Sequence, residues 1–189
     1  MQYEIIISGF GGQGALFAGQ LLAYAAMDQN FHVSWIPSYG PEMRGGKARC
    51  TVVISDEEIG SPLVRRPGGA IVLNIPSMEA FEPLVKPGGV LVVNSSLIPR
   101  RSERRDIRTL YVPASDIANE LGEVRLANVI ALAALVAASG VISLDALRDA
   151  LDRKLPKRHA ALLELNHLAL LRGAAYAHVD APNAEGARP

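Results

Sequence analysis

A glycine-rich turn, Gly9-Phe10-Gly11-Gly12-Gln13-Gly14, joins the apolar run Ile5-Ile6-Ile7-Ser8 to a small-residue helix spanning Ala15 to Met27. A buried strand that passes through such a turn into a helix is the opening unit of a layered α/β domain, because the turn lets the helix fold back onto the sheet. Ala18, Gly19 and Ala23 supply the small surface that lets this helix lie close to the strands. The same geometry leaves backbone N–H groups at the positive end of the helix dipole, where a phosphate or carboxylate is favoured. Gly9, Gly11, Gly12, Gln13 and Gly14 are therefore the candidate ligand-binding residues. The alternative is a structural turn, with Gln13 capping its own helix.

A dinucleotide-binding unit carries an acidic residue about 20 residues further on, at the end of the second strand, to hold a ribose hydroxyl. Here the strand His32 to Ile36 runs instead into Pro37-Ser38-Tyr39-Gly40-Pro41-Glu42-Met43-Arg44-Gly45-Gly46. Asp28 precedes that strand and Glu42 lies beyond it, which weakens a reading as a free-standing nucleotide-binding oxidoreductase.

Further strands are expected at Ala48 to Ser55, Ala70 to Ile75, Val90 to Asn94 and Thr109 to Val112. Several are unbroken apolar runs, the pattern of parallel strands covered on both faces. A helix is expected at Met78 to Val85. The Ala48 to Ser55 strand follows its predecessor too closely for a crossover, so it is expected to pair antiparallel at an edge or to leave the sheet. After Val112 the pattern turns helical. Ser115 or Asp116 is placed to cap Ile117 to Leu121, Ala127 to Ser139 reads as a buried helix, and Ser143 caps Leu144 to Lys154. A last helix runs from Arg158 to Tyr176, with Leu162, Leu165, Ala169 and Arg172 near one stripe. The expected fold is a doubly wound, mostly parallel, Rossmann-like α/β sheet with C-terminal helices. One domain covers residues 1–179, its helical part from about residue 115, and residues 180–189 form a disordered tail.

Composition excludes several classes. Equal numbers of basic and acidic residues, 19 of each, give no field for a nucleic-acid partner. One cysteine cannot make an intrachain disulfide, and an iron–sulfur cluster takes about four thiolates, so no metal centre is expected on this chain and a reducing cytoplasm is. The longest apolar helix falls short of the roughly 20 residues needed to span a bilayer.

The second glycine-rich loop carries Ser38, Tyr39, Glu42, Arg44, Gly45 and Gly46. Its prolines and glycines fix the backbone, and Arg44 offers a planar fork to a carboxylate or phosphate that Glu42 could orient. An Arg–Glu pair that merely shapes the loop is the competing reading. Cys50, inside a strand, reads as a small buried hydrophobe. The basic run Arg100, Arg101, Arg104, Arg105 and Arg108 reads as a solvated loop. No catalytic residue is assigned on this chain.

In order, the two glycine loops and the segment Cys50-Thr51-Val52-Val53-Ile54-Ser55-Asp56-Glu57-Glu58-Ile59-Gly60-Ser61-Pro62 resemble the gamma subunit of 2-oxoacid:ferredoxin oxidoreductases, of the 2-oxoglutarate or branched-chain type. The resemblance extends over nearly the whole chain. It departs at Lys47-Ala48-Arg49, where the family pattern has Thr-Ala-Asn, which marks Arg49 as a candidate tuning or partner-contact residue. The resemblance implies a hetero-oligomer with alpha and beta subunits, with or without a delta subunit. That assembly oxidatively decarboxylates a 2-oxoacid, 2-oxoglutarate by preference, with coenzyme A and passes electrons to ferredoxin. Thiamine diphosphate, Mg and the Fe–S clusters then sit on partner subunits. This chain completes the assembly, the Gly9 to Gly14 turn being available to a coenzyme A phosphate and the Ser38 to Gly46 loop to the partner or the shared active site. A purely structural subunit is the remaining alternative.

Overall fold

The computed structural model describes residues 1–39, 46–154 and 160–178. Among them, strands β1 (Gln2–Phe10), β2 (His32–Tyr39), β3 (Lys47–Ser55), β4 (Gly69–Val72), β5 (Val90–Asn94) and β6 (Arg108–Val112) form one sheet in the order β2-β3-β1-β4-β5-β6. β1, β4, β5 and β6 are parallel neighbours, and β3 pairs antiparallel with both β1 and β2. Side chains alternate across the sheet, so Ile5, Ile7, Ile71 and Val92 enter one core while Ile6, Ala70, Val72 and Leu91 enter the other.

The larger core is covered by helices α1 (Ala15–Asp28), α3 (Ala114–Glu120), α4 (Ala127–Ser139), α5 (Leu144–Lys154) and α6 (Ala160–Ala175). The smaller core is covered by α2 (Ile75–Phe81) and the 3₁₀ turn that continues it. α4 is buried on almost every side, from Asn128 through Val136, as its unbroken apolar sequence requires. α1 lies close enough to the sheet that a Cβ on Gly19 would stand 2.3 Å from the Cys50 sulfur.

Four expectations change. β3 lies inside the sheet rather than at an edge, because its residues from Cys50 to Ser55 are apolar enough to need cover on both faces and its hairpin partner β2 takes the edge position. The fourth strand stops at Val72, and a helix begins at Ile75 where strand or turn was expected. Asn74 accepts the Ser77 N–H at 2.9 Å and Pro76 fits the first turn, which makes Asn74 a helix N-cap. Neither Ser115 nor Asp116 caps α3, since Pro113 occupies the cap position and Ser115 bonds to Asn94 instead. The buried stripe of α6 runs through Asn166, Ala169, Leu170 and Gly173, leaving Arg172 outside on Glu120. Ser143 does cap α5, accepting the Ala146 N–H at 3.1 Å. The tail 180–189 and the start of the last helix at Arg158 lie outside the described residues.

The basic run is a strap rather than a free cationic patch. Arg104 donates to the Glu82 and Val85 carbonyls at 2.7 Å each and grips Asp106 with two nitrogens at 2.9 and 2.5 Å. Arg100 pairs with Glu82, Arg101 stacks 4.0 Å from the Tyr111 ring centre, and Arg108 donates to the Ala177 carbonyl.

α4 and α6 touch backbone to backbone at Gly173, where an added Cβ would sit 2.1 Å from the Ile130 carbonyl oxygen. Gly173→Ala should therefore lower unfolding stability by about 2 kcal/mol or more in urea titration, as overpacking a fixed contact does. Gly60→Ala, where a Cβ meets nothing within 4 Å, should change it by less than about 0.5 kcal/mol. Equal effects of the two would remove the close helix crossing from the account.

Candidate functional site

In doubly wound sheets the crevice for ligands opens at the carboxyl ends of the parallel strands, where successive connections leave in opposite directions. Here that point lies between β1 and β4. From β1 the chain goes by α1 to β2 on one side, and from β4 by α2 to β5 on the other.

A cleft with a volume of about 150 Å³ lies at this edge, lined by Gly12, Gln13, Leu73, Asn94, Ser115, Val124, Arg125 and Ala127. Its floor is a set of polar contacts centred on Gln13. The Gln13 Oε1 accepts the Phe10 N–H at 2.7 Å and the Asn74 Nδ2 at 3.2 Å, and its Nε2 donates to the Leu73 carbonyl at 3.1 Å. One carboxamide thus ties the turn after β1 to the residues after β4. Asn94 and Ser115 form a second pair, with Nδ2 to Oγ at 2.9 Å and the Ser115 N–H to Oδ1 at 3.3 Å.

The glycines divide by task. Gly9 is a strand residue whose missing side chain makes room for Gln13, since a Cβ there would lie 2.7 Å from Oε1. Gly14 caps α1 at φ 77°, and a Cβ on it would fall 1.8 Å from the Asn128 Nδ2. Gly12 has φ 98° and open space where a Cβ would stand, so it is the glycine that leaves the cleft accessible. Gly11 donates its N–H to the Gly46 carbonyl at 3.0 Å, which brings the two glycine loops into contact. Among the described residues no side chain caps the N-terminus of α1.

Of the second loop, Ser38 lies in β2 opposite Arg49, and Gly46 meets Gly11. Tyr39 ends β2, while its side chain and the residues Glu42, Arg44 and Gly45 lie outside the described residues. Arg49 is exposed, and its guanidinium stands 5.8 Å from the centre of the Phe81 ring of α2, not in the cleft.

Sequence reasoning missed Asn128, Glu123 and Arg125. Asn128 is 6% exposed, donates to the Gln13 carbonyl at 3.4 Å, and keeps a buried Oδ1 without a hydrogen-bond partner among the described residues. Glu123 grips Arg125 and its carboxyl is pulled down to about 2 by that guanidinium and the Arg125 N–H. A polar residue at the head of the otherwise apolar α4 was the available signal for Asn128.

Cys50 is fully buried, donates toward the Ala15 carbonyl at 3.4 Å, and burial pushes its thiol up to about 12. A lone protonated thiol does not fit the donor set of an iron–sulfur cluster. Among the described residues no helix is long and apolar enough to cross a membrane.

The strand order separates this cleft from that of a dinucleotide-binding domain. The neighbour of β1 on that side is β3, which runs the other way and pairs its first residue, Lys47, with Phe10 at the end of β1. The end of β2 is displaced by a further strand, about 10 Å from β1. An acidic residue there would be out of reach of a ribose held at the first turn.

The molecule is thus a doubly wound α/β domain with its cleft at the switch point of the sheet. A family model described as pyruvate ferredoxin/flavodoxin oxidoreductase matches residues 4–176. The 2-oxoglutarate synthase subunit KorC of Methanocaldococcus jannaschii is 35% identical over 178 residues, 92% of each chain. The ketoisovalerate oxidoreductase subunit VorA of Methanothermobacter marburgensis is 41% identical over 152 residues, 79% of this chain, and the chain spans only 31% of that relative's length. The crystal structure of a keto/oxoacid ferredoxin oxidoreductase gamma subunit from Geobacter sulfurreducens superposes with a TM-score of 0.82 at 32% identity, over 94% of this chain and 97% of that one. The chain belongs to the pyruvate ferredoxin/flavodoxin oxidoreductase family.

Two outcomes check the site geometry. Gln13→Ala removes three hydrogen bonds and should cost about 1–3 kcal/mol in urea unfolding, with faster exchange of the Phe10 amide. Unchanged exchange at Phe10 would mean that Gln13 does not hold the turn. Cys50 should resist a thiol reagent at pH 8 in the folded protein and react on unfolding, because the thiol stays protonated below about 12. Rapid labelling of the native chain would contradict its burial.

Proposed function

We propose that this chain is the gamma subunit of a multi-subunit 2-oxoacid:ferredoxin oxidoreductase that converts a 2-oxoacid and coenzyme A to acyl-CoA and CO2 and passes the electrons to ferredoxin. The observation that carries this reading is the end-to-end correspondence with KorC, at 92% of both chains, which also favours 2-oxoglutarate as the substrate. By the family resemblance, thiamine diphosphate, Mg and the Fe–S clusters belong on the alpha, beta and any delta subunits, and for the clusters the single thiol of this chain agrees with that. Thiamine diphosphate supplies the carbanion chemistry of decarboxylation.

This chain's own contribution is to bind and orient. The cleft at Gly12 is smaller than the 300–1,000 Å³ typical of whole-ligand pockets, so it suits one anionic group rather than an entire coenzyme. A coenzyme A phosphate would meet the turn that leads into α1 there, Gln13 keeping that turn in shape while the rest of the coenzyme reaches the partner's active site. In the same reading the Ser38 to Gly46 loop faces the catalytic partner, with Arg44 its principal polar contact, and the assembly works in the cytoplasm. A free-standing nucleotide-binding oxidoreductase is disfavoured by the reversed strand β3 beside β1.

The isolated chain, supplied with thiamine diphosphate, coenzyme A and 2-oxoglutarate, should not reduce an artificial electron acceptor, whereas the complex reconstituted with its partners should. Turnover by the chain alone would overturn the assignment. Gly12→Ala, which adds a methyl group where the cleft is open and φ is positive, should raise the KM for coenzyme A about tenfold or more in the assembled complex. An unchanged KM in a normally assembled variant would remove the turn from coenzyme A binding.

A further inference from the structure

Arg125 is the one charged side chain among the described residues that line the cleft, and it comes from the short 3₁₀ turn Val124–Leu126 that leads into α4. Its neighbour Glu123 holds it in an unusually complete way. Glu123 Oε1 accepts from the Arg125 Nε at 2.8 Å and from the Arg125 backbone N–H at 3.1 Å, and Oε2 accepts from Nη2 at 2.7 Å. The carboxylate thus fixes both the start of the turn and the plane of the guanidinium.

This fork uses the Nε–Nη2 edge and leaves the Nη1 edge out of the grip. The Arg125 side chain is 73% exposed, and a surface pair of that kind adds little to the stability of a fold. What it does supply is orientation, because a guanidinium already held flat loses less freedom when it meets a second anion. The cleft between it and Gly12 is lined by Gln13 and by the Asn94–Ser115 pair. Beside Gly14, the buried Asn128 Oδ1 still lacks a donor among the described residues. The Arg125 guanidinium and the Asn94–Ser115 pair can each meet a different part of an oxygen-rich anion in the cleft.

We infer that Arg125 is the anion-recognition residue of this cleft, taking a phosphate-class group on the guanidinium edge that Glu123 leaves free, and that Glu123 is its positioning residue. The identity of the phosphate carrier as coenzyme A rests on the function proposed above, and the recognition of phosphate itself does not. The other anion within reach of such an assembly is the carboxylate of the 2-oxoacid, which shares the fork chemistry.

The test measures binding to the assembled complex by calorimetry, with inorganic pyrophosphate, coenzyme A and 2-oxoglutarate as separate probes. Arg125→Ala should weaken pyrophosphate and coenzyme A about tenfold or more and leave 2-oxoglutarate unchanged. Arg125→Lys, which keeps the charge and loses the fork, should fall between Ala and wild type. Glu123→Gln should weaken both phosphate probes by a few-fold with Arg125 intact, and thermal melting of all three variants should stay near wild type. Added salt should weaken pyrophosphate binding in the wild type more than in Arg125→Ala. Wild-type affinity for pyrophosphate in Arg125→Ala would overturn the recognition role, and tighter binding in Glu123→Gln would overturn the positioning role. Loss confined to 2-oxoglutarate would contradict the phosphate assignment. Turnover of the same wild-type complex judges the proposed function separately. A complex that binds pyrophosphate through Arg125 but shows no coenzyme A-dependent oxidation would sink that function and leave this inference standing.

Discussion

A single carboxamide holds the site in shape. Gln13 takes the Phe10 N–H, the Leu73 carbonyl and the Asn74 side chain at once, and these groups belong to the ends of two neighbouring parallel strands. Parallel strands that diverge in their connections leave a crevice at this edge, and without a cross-tie the turns on either side would be free to close it or to fray. A Cβ at position 9 would stand 2.7 Å from Oε1, so a side chain there would push the carboxamide away from its partners. The tie also frees Gly12 to stand open, since the turn's shape no longer depends on packing at that residue.

The second constraint is β3. Its insertion between β1 and β2 makes the sheet mixed and moves the end of β2 away from the first turn. A glycine turn that in another strand order would cradle a dinucleotide is here left with a shallow cleft and a cation on its far wall. The hairpin that carries β3 also brings Gly46 against Gly11, so the two glycine-rich loops share a backbone hydrogen bond. One residue type in two sequence regions therefore serves one edge of the molecule.

Much of this was legible in the chain. Unbroken apolar runs gave the strands because burial on both faces leaves no polar alternation, and α1, α4 and β5 fall where the pattern puts them. The order of strands was not legible, since periodicity reports how a strand is covered and not which strand lies beside it. Asn74 and Ile75 read as the end of the strand Ala70 to Ile75 because Ile75 prolongs an apolar run, although Asn74-Ile75-Pro76 also has the pattern of a helix start. The far wall of the cleft was invisible for a different reason. Asn128 meets the Gln13 carbonyl across 115 residues of sequence, and Arg125 has no local motif to mark it. Only the packing of α4 against the sheet brings either residue to the turn.

The central claim is that the first glycine turn and the head of α4 together receive the anionic end of coenzyme A. Hydrogen exchange of the assembled complex, with and without coenzyme A, tests it most directly. The amides of residues 12–17 and 123–128 should slow together on binding, while those around Arg104 and the α4–α6 crossing at Gly173 stay as they were. Protection that appears only outside these two segments, or in one of them without the other, would contradict it.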